Sequence, residues 1–458
     1  MYHLIKEMSQ MNIFKRKIYN KLLEWKNCSN GTRGLLLEGA RRVGKSTIVK
    51  EFAENEYRSY IFIDFDEEGE EIRKIFDAGF RDLDSLFRSL SLYYHTELFP
   101  RQSLIVFDEV QRFPRAHEGR KYLVKDGRYD FIETGSLITL KVLSKGFTNP
   151  SEVDYLSRYP MDFEEFLMAR GDTVSYPRIK DAFESRKPLG EVVNRKLMSL
   201  FRTCRCVGGR PQAVEQYLSD KVNFSLVDKV KRNIVNLYDD DLKKYDLEYH
   251  SFTSPIYSHI PAFLSSRNKM LKFSSIKKGG RYSNRLSSLD GIEKSRRGNL
   301  CQNTSDPTVG LGLTSIPSDI KIYSSDTGLL ITQILKDNES TSNDLYRKLI
   351  FNKLSINQGM FFENSVSQAL KGSGHSLYFH TFENQKAKYE IDFLVQRKGK
   401  LSPIEVKPSS YNSHVSLDCF LEKNKDRKNI GEPIIIYTKD LKAEDGILYI
   451  PIYRTGLI

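Results

Sequence analysis

Gly39-Ala40-Arg41-Arg42-Val43-Gly44-Lys45-Ser46, followed by Thr47, has the residue types and spacing of a loop that holds polyphosphate. The glycines let successive backbone N–H groups turn inward at the positive end of the following helix. Lys45 then reaches the β- and γ-phosphates, and the Ser46 hydroxyl becomes a ligand for Mg²⁺. Gly39 to Thr47 is therefore the expected nucleotide-binding set, with ATP and Mg²⁺ as its cofactors. A metal on a phosphate chain also needs a carboxylate at the end of a neighbouring buried strand. The apolar run Ser103-Leu104-Ile105-Val106-Phe107 ends in Asp108-Glu109. Asp108 is the candidate for the Mg²⁺ shell and Glu109 for polarising an attacking water. Another strand candidate, Tyr129 to Ser136, ends in small polar groups. Thr134 and Ser136 there are candidates for sensing the γ-phosphate, with an ordinary strand-to-loop turn as the alternative.

A second set of reactive residues lies near the C-terminus. Glu390-Ile391-Asp392-Phe393-Leu394-Val395 alternates acids with apolar residues, and Pro403-Ile404-Glu405-Val406-Lys407 follows after a turn. Period two puts Glu390 and Asp392 on one face of a strand and Glu405 and Lys407 on one face of its neighbour. Carboxylates so placed can hold Mg²⁺ for phosphodiester hydrolysis, with Lys407 positioning the nucleophile or neutralising charge. Glu363, in the amphipathic stretch Met360 to Val366, adds a third carboxylate from a helix. The alternative is a charged hairpin with cross-strand ion pairs.

These residues need a scaffold. Apolar strand candidates at Gly34–Leu37, Tyr60–Phe65, Leu104–Asp108 and Tyr129–Ser136 alternate with amphipathic stretches, the βαβ pattern of a parallel sheet with helices on both faces. The 458 residues are enough for about two to four domains, and 39% hydrophobic content supports real cores. Formal charge is +12, which points to a polyanionic partner. Between Arg267 and Leu300 the basic residues are Arg267, Lys269, Lys272, Lys277, Lys278, Arg281, Arg285, Lys294, Arg296 and Arg297, opposed only by Asp290 and Glu293. That segment, 267–297, is the expected nucleic-acid surface, DNA before RNA, with a solvated flexible face as the alternative. The five cysteines are irregularly spaced and suggest free thiols in a reducing cytoplasm. Met1 to Asn27 lacks an apolar signal region, and no stretch reaches the length of a membrane span.

Nearly the whole chain resembles a bacterial and archaeal family of AAA+-type ATPases that carry a winged-helix segment and a C-terminal restriction-endonuclease-like PD-(D/E)XK domain. The matching residues are Gly39 to Ser46, Phe107-Asp108-Glu109, Thr134-Gly135-Ser136 and Tyr159-Pro160-Met161-Asp162-Phe163-Glu164-Glu165-Phe166. They continue with Val207-Gly208-Gly209-Arg210-Pro211, Lys321 to Leu330 including Asp326-Thr327-Gly328-Leu329-Leu330, and the C-terminal acids. The resemblance implies an α/β P-loop ATPase domain over 1–170, a helical connection over 171–254, a winged-helix-like basic segment over 255–320 and a nuclease-like domain over 321–458. Gly291 to Asn299 departs from the family pattern, being polar and bounded by glycines where a recognition helix is expected. An arginine finger is also implied, lent by a second copy in a ring or dimer, with Arg112, Arg115 and Arg158 as candidates. The activity implied is ATP hydrolysis driving a DNA-binding, nuclease-like C-terminal half. The alternative is a nucleotide-gated regulatory protein whose nuclease-like domain is a non-catalytic binding module.

Overall fold

The computed structural model describes residues 14–80, 82–135, 153–219, 222–249, 251–266, 268–276, 282–308, 310–337, 342–351, 353, 358–384, 387–408 and 413–458. The chain divides into two compact units, Met1–Tyr159 and Pro160–Ile458. Among the described residues no helix is long and apolar enough to cross a membrane.

In the first unit, β1 (Gly34–Gly39), β2 (Ser59–Asp64), β3 (Ser103–Asp108), β4 (Asp130–Gly135) and β5 (Val153–Arg158) form a wholly parallel sheet in the order β2-β3-β4-β1-β5. Every residue of β1, β3 and β4 is buried, as expected of parallel strands covered on both faces. Alternation divides their side chains between two cores. Leu36, Ile105, Phe107 and Phe131 pack on one face with Phe65 and Phe76, and Leu35, Leu37, Leu104, Val106 and Ile132 pack on the other with Phe52. Because β4 lies between β1 and β3, with Leu37 opposite Thr134 and Phe107 opposite Glu133, the carboxyl ends of the three strands stand side by side. That edge is where open α/β sheets place their ligands.

In the second unit, β6 (Gly298–Thr304), β7 (Ser315–Ser324), β8 (Leu377–Asn384), β9 (Ala387–Arg397), β10 (Lys400–Val406), β11 (Ile434–Tyr437), β12 (Lys442–Glu444) and β13 (Ile447–Pro451) form a mixed sheet in the order β12-β13-β11-β10-β9-β8-β6-β7. The 255–320 segment contributes most of the helix Thr253–Ser265, a single turn at Phe273–Ile276, the helix Tyr282–Lys294 and the start of the β6–β7 hairpin. That hairpin is not a free wing, since β6 also pairs in parallel with β8. Gly291 does not interrupt the helix that ends at Lys294; Ile292 is completely buried beside it and secures the last turn.

Three of the sequence strings that carry the family resemblance meet in this unit. Asp326 caps the helix Thr327–Ile334 by accepting from the Gly328 and Leu329 N–H groups, and its Oδ2 accepts from the Gly209 N–H at 3.0 Å. Arg210 Nε lies 3.3 Å from the same oxygen, with both side chains essentially inaccessible. A Cβ on Gly328 would stand 2.4 Å from the Gly208 Cα, and one on Gly209 would stand 2.5 Å from the Met161 carbonyl oxygen. The Met161 N–H donates to the Gly209 carbonyl, and Asp162 next to it opens the helix Phe163–Ala169 with a reciprocal capping box to Glu165. The glycines are thus set by close backbone approach and the aspartates by helix ends.

Removing one member of a buried ion pair leaves an uncompensated charge. Asp326→Ala should lower the stability of the second unit by about 3–5 kcal/mol in urea unfolding; a loss below ~1 kcal/mol, the range of an exposed pair, would show that the pair is not structural.

Candidate functional site

The loop after β1 is shaped by its own backbone. Arg42 has φ 63° and Gly44 φ 86°, two left-handed residues that bend the loop into the amino end of the helix Lys45–Glu56. Gly39 has a different reason to be glycine: a Cβ there would stand 2.7 Å from the Arg158 carbonyl oxygen on β5. Ala40 and Val43 are buried, whereas Arg42 and Thr47 are exposed. The Val43 carbonyl accepts from Arg158 Nε at 2.9 Å and from Arg16 Nη1 at 3.4 Å, so two arginines hold the loop from behind. Neither contact was visible in the spacing of the loop residues.

Lys45 is enclosed. Its ammonium donates to the Gly39 and Ala40 carbonyls at 3.1 and 3.4 Å and lies 3.9 Å from Glu109 Oε1. Burial pulls its pKa down, and the Glu109 and Asp108 charges oppose that pull. Asp108, 2% exposed, is pushed up to about 6 by burial, against hydrogen bonds from the Ser46 and Thr134 hydroxyls. The strand order explains the trio, since Thr134 sits on β4 between the loop of β1 and the end of β3. One carboxylate with a hydroxyl at its side is a hard oxygen set suited to Mg²⁺, which takes few protein ligands and fills its remaining positions with phosphate oxygens and water. These residues fit the ion.

Glu109 follows Asp108 in the left-handed region, at φ 48°, a conformation costly for a residue with a Cβ. Its carboxylate accepts from the Gln111 side-chain amide, and its N–H donates to Thr134 Oγ1 at 3.3 Å. Gln111 escaped the sequence reading because nothing in a strand-plus-acids pattern marks a residue two further on. Of the arginines considered as fingers, Arg112 and Arg115 form half-exposed ion pairs with Asp66 and Asp77, both at 2.7 Å, and Arg158 is interior. Arg41 reaches toward the same Asp66 at 3.6 Å. Ser136 lies outside the described residues.

The C-terminal acids do converge, but with cations among them. Asn364 hydrogen-bonds both the N–H and the carbonyl of Ser324, pinning the helix Gln358–Gly372 to the end of β7 and bringing Glu363 to Tyr323. Glu363 is raised first by burial and then by the Asp392 charge, with Lys269 and Lys321 opposing. Its Oε1 is in contact with the Lys269 ammonium, and its Oε2 accepts from the Tyr323 hydroxyl at 3.3 Å. Lys321, wholly buried, pairs with Glu390; burial works to lower it, but the surrounding carboxylates hold it above its ordinary value. Asp392 accepts from the Val406 N–H at 2.8 Å, and Lys407 lies 2.6 Å from Glu405. Among the described residues no three His, Cys, Asp or Glu side chains stand together as metal ligands. As they stand, these acids do not fit a divalent cation. Lys269, Lys321 and Tyr323 are the members that strand periodicity could not supply, because they come from other elements.

The basic segment is also divided. Lys272 and Arg285 are exposed. Arg297 is interior: it donates to the Tyr238 carbonyl, pairs with Asp241 at 2.7 Å and lies over the Tyr238 ring. It is structural rather than part of a phosphate-binding surface. Arg267, Lys277, Lys278 and Arg281 lie outside the described residues.

Residues 32–167 match the family model for an AAA domain, so the five-stranded parallel unit is an AAA-type P-loop fold. Residues 198–340 and 358–454 match two further families, each described as a domain of unknown function, DUF8612 and DUF4143. No curated protein matches the chain. Among solved structures, C. elegans PCH-2 is 13% identical over 47% of this chain and 65% of that one, with a TM-score of 0.28. AMPPCP-bound DnaA from Aquifex aeolicus is 12% identical over 62% and 81%, with a TM-score of 0.28. Cdc6p from Pyrobaculum aerophilum is 12% identical over 76% and 97%, with a TM-score of 0.23. The chain spans just under two thirds of the length of PCH-2, and at these scores the likenesses carry no argument.

Asp108 makes the first unit's stability depend on pH. Its carboxyl stays protonated to about 6 in the folded protein, whereas in the unfolded chain it ionises near the ordinary aspartate value. The folded state therefore binds more protons across that interval, and stability falls as pH rises through it. Asp108→Asn removes the titration. The variant should be more stable than the parent above pH ~6, by on the order of 1–3 kcal/mol, with the gap closing toward pH ~4. Thermal unfolding curves that keep a constant separation from pH 4 to 8 would refute the assignment.

Proposed function

We propose that the protein is an ATP-hydrolysing, Mg²⁺-dependent switch or motor that acts on DNA through its C-terminal half. The observation that carries this reading is the meeting of Lys45, Ser46, Asp108, Glu109 and Thr134 at the carboxyl ends of β1, β3 and β4. In it, the loop N–H groups and Lys45 bind the phosphate chain, and Ser46 and Asp108 hold Mg²⁺, which supplies charge neutralisation on the phosphates. Thr134 orients the Asp108 carboxylate. Glu109, steadied by Gln111, accepts the proton of the water that attacks the γ-phosphorus as the bond to ADP breaks. Inorganic phosphate and ADP are the products.

The DNA part rests on the exposed members of the basic segment, Lys272 and Arg285. For the C-terminal acids there are two readings. A DNA-cleaving nuclease is supported by D-h-h and E-x-K on adjacent antiparallel strands, with Glu363 beside them. A non-catalytic, ATP-gated binding module is favoured by the lysines and tyrosine that already engage those carboxylates.

Lys45→Ala should abolish ATP binding, and Glu109→Gln should keep binding while slowing turnover by about 10²–10⁴-fold. Both are read by nucleotide titration and phosphate release; normal hydrolysis by the two variants would end the ATPase assignment. With linear and branched duplexes in Mg²⁺, DNA-accelerated ATP turnover is expected, and turnover indifferent to DNA would remove DNA as the partner. Cutting of the duplex in the same tubes decides between the nuclease and the binding module.

A further inference from the structure

Carbonyls of the phosphate loop take cationic partners of two kinds. Those of Gly39 and Ala40 accept from Lys45, whose ammonium must leave them to meet a phosphate chain. The carbonyl of Val43 accepts instead from Arg158 Nε at 2.9 Å and from Arg16 Nη1 at 3.4 Å, and neither arginine belongs to the phosphate-binding set. Both arginines are buried, as is Val43.

A carbonyl oxygen has two lone pairs, and two guanidiniums engage both. The Val43 oxygen is thereby fixed in direction. Because the peptide that follows it is trans and planar, the Gly44 N–H is fixed pointing the opposite way. Charged donors on the oxygen also polarise that peptide and strengthen its N–H as a donor. The left-handed Arg42 and Gly44 make the loop turn, and the arginines set which way one of its N–H groups faces.

Arg16 has a second arm. Its Nη2 donates to the Tyr159 carbonyl at 3.0 Å, so one planar guanidinium spans the loop and the residue that follows β5. Arg158 is the last residue of β5, and the loop is therefore clamped twice to the end of that strand; Tyr159 is also where the first unit ends.

We propose that Arg158 and Arg16 are positioning residues for phosphate binding, holding the Gly44 N–H toward the ligand, and that the fork of Arg16 makes Tyr159 respond to occupancy of the loop. The proposal rests on the reading of this loop as an ATP site and adds what orients it. Arg158 then acts within its own chain rather than as a finger lent to a second copy.

The test is ATP titration of the full chain, with isotope-labelled glycine to follow the Gly44 amide. Methionine fills much of the volume of arginine without supplying a donor. Arg158→Met and Arg16→Met should each weaken ATP binding by at least ~10-fold, and Arg158→Lys, which restores a cationic donor, should recover most of the loss. In the parent, ATP should move the Gly44 amide proton downfield as it bonds phosphate. In Arg158→Met that shift should shrink even at saturating ATP, which lost packing alone does not produce; should this variant not fold, Arg16→Met carries the same comparison. Unchanged affinity and an unchanged Gly44 shift in a folded methionine variant would overturn the brace and leave the ATP site standing. A parent that binds no ATP would overturn the site and the brace together. The fork has its own reporter. Pro160 has no N–H, so the Met161 amide, which donates to the Gly209 carbonyl at 2.7 Å, is the first beyond Tyr159. ATP should slow its hydrogen exchange in the parent and leave it unchanged in Arg16→Met. Slowing that survives Arg16→Met, or none in the parent, would remove Tyr159 from the response.

Discussion

A guanidinium enclosed in a protein interior is costly unless a carboxylate stands beside it. Asp326 supplies that carboxylate for Arg210, whose Nε and Nη1 make no hydrogen bond, and much of the second unit is arranged around the pair. Asp326 can serve Arg210 only if it also starts the helix Thr327–Ile334, and it can reach the Gly209 N–H only if Gly208 and Gly328 have no side chains between the two backbones. Lys231 fastens the same joint from a third direction. Its buried ammonium donates to the Cys206 and Gly328 carbonyls and to the Tyr346 hydroxyl, and burial lowers its pKa to about 8. Tyr238 closes the assembly by presenting its ring to both Arg210 and Arg297. None of these groups is near the acids of the sheet in role; they explain why glycine, arginine and aspartate recur in strings that look catalytic and are architectural.

The same constraint is left deliberately unbalanced in the first unit. Asp108 and Lys45 are both buried, yet the two do not form a tight pair; Asp108 takes hydroxyls and Lys45 takes loop carbonyls. Each therefore carries part of the cost of desolvation, as the raised carboxyl and lowered ammonium both show. Glu109 adds backbone strain at φ 48°. Groups held short of full compensation are those that gain most from binding a charged ligand.

How far the sequence could be read follows from which contacts are local. The phosphate loop, the buried strands and the acids closing β3 declare themselves because adjacency in the chain and adjacency in the fold coincide there. Thr134 was also legible, since a strand ending in a small polar group next to two such strands has few places to go. Arg16 and Arg158 were not, because their service to the Val43 carbonyl depends on where the chain returns more than a hundred residues later for Arg158. Arg297 misled for the opposite reason: in a run of basic residues its charge looks like surface, and only the position of Tyr238 and Asp241 on the long helix Phe224–Tyr249 shows otherwise. The β6–β7 hairpin was hidden by its parallel partner, since among the described residues β8 begins beyond three intervening helices.

The acidic cluster is the most instructive of these cases. Period two correctly sets Glu390 and Asp392 on one side of β9, with Ile391 and Phe393 buried on the other, and places Glu405 on the neighbouring strand. What the periodicity describes is a set of ligands; it does not describe the charge that balances them. That charge arrives on β7 as Lys321 and on the segment bridged to β7 as Lys269, neither of which is adjacent in sequence to any of the acids. A carboxylate cluster and its counter-ion are one electrostatic object. Reading half of it yields a metal site, and reading both halves yields a site whose cation belongs to the chain itself, with Glu405 Oε2 as the oxygen that this internal arrangement leaves unserved.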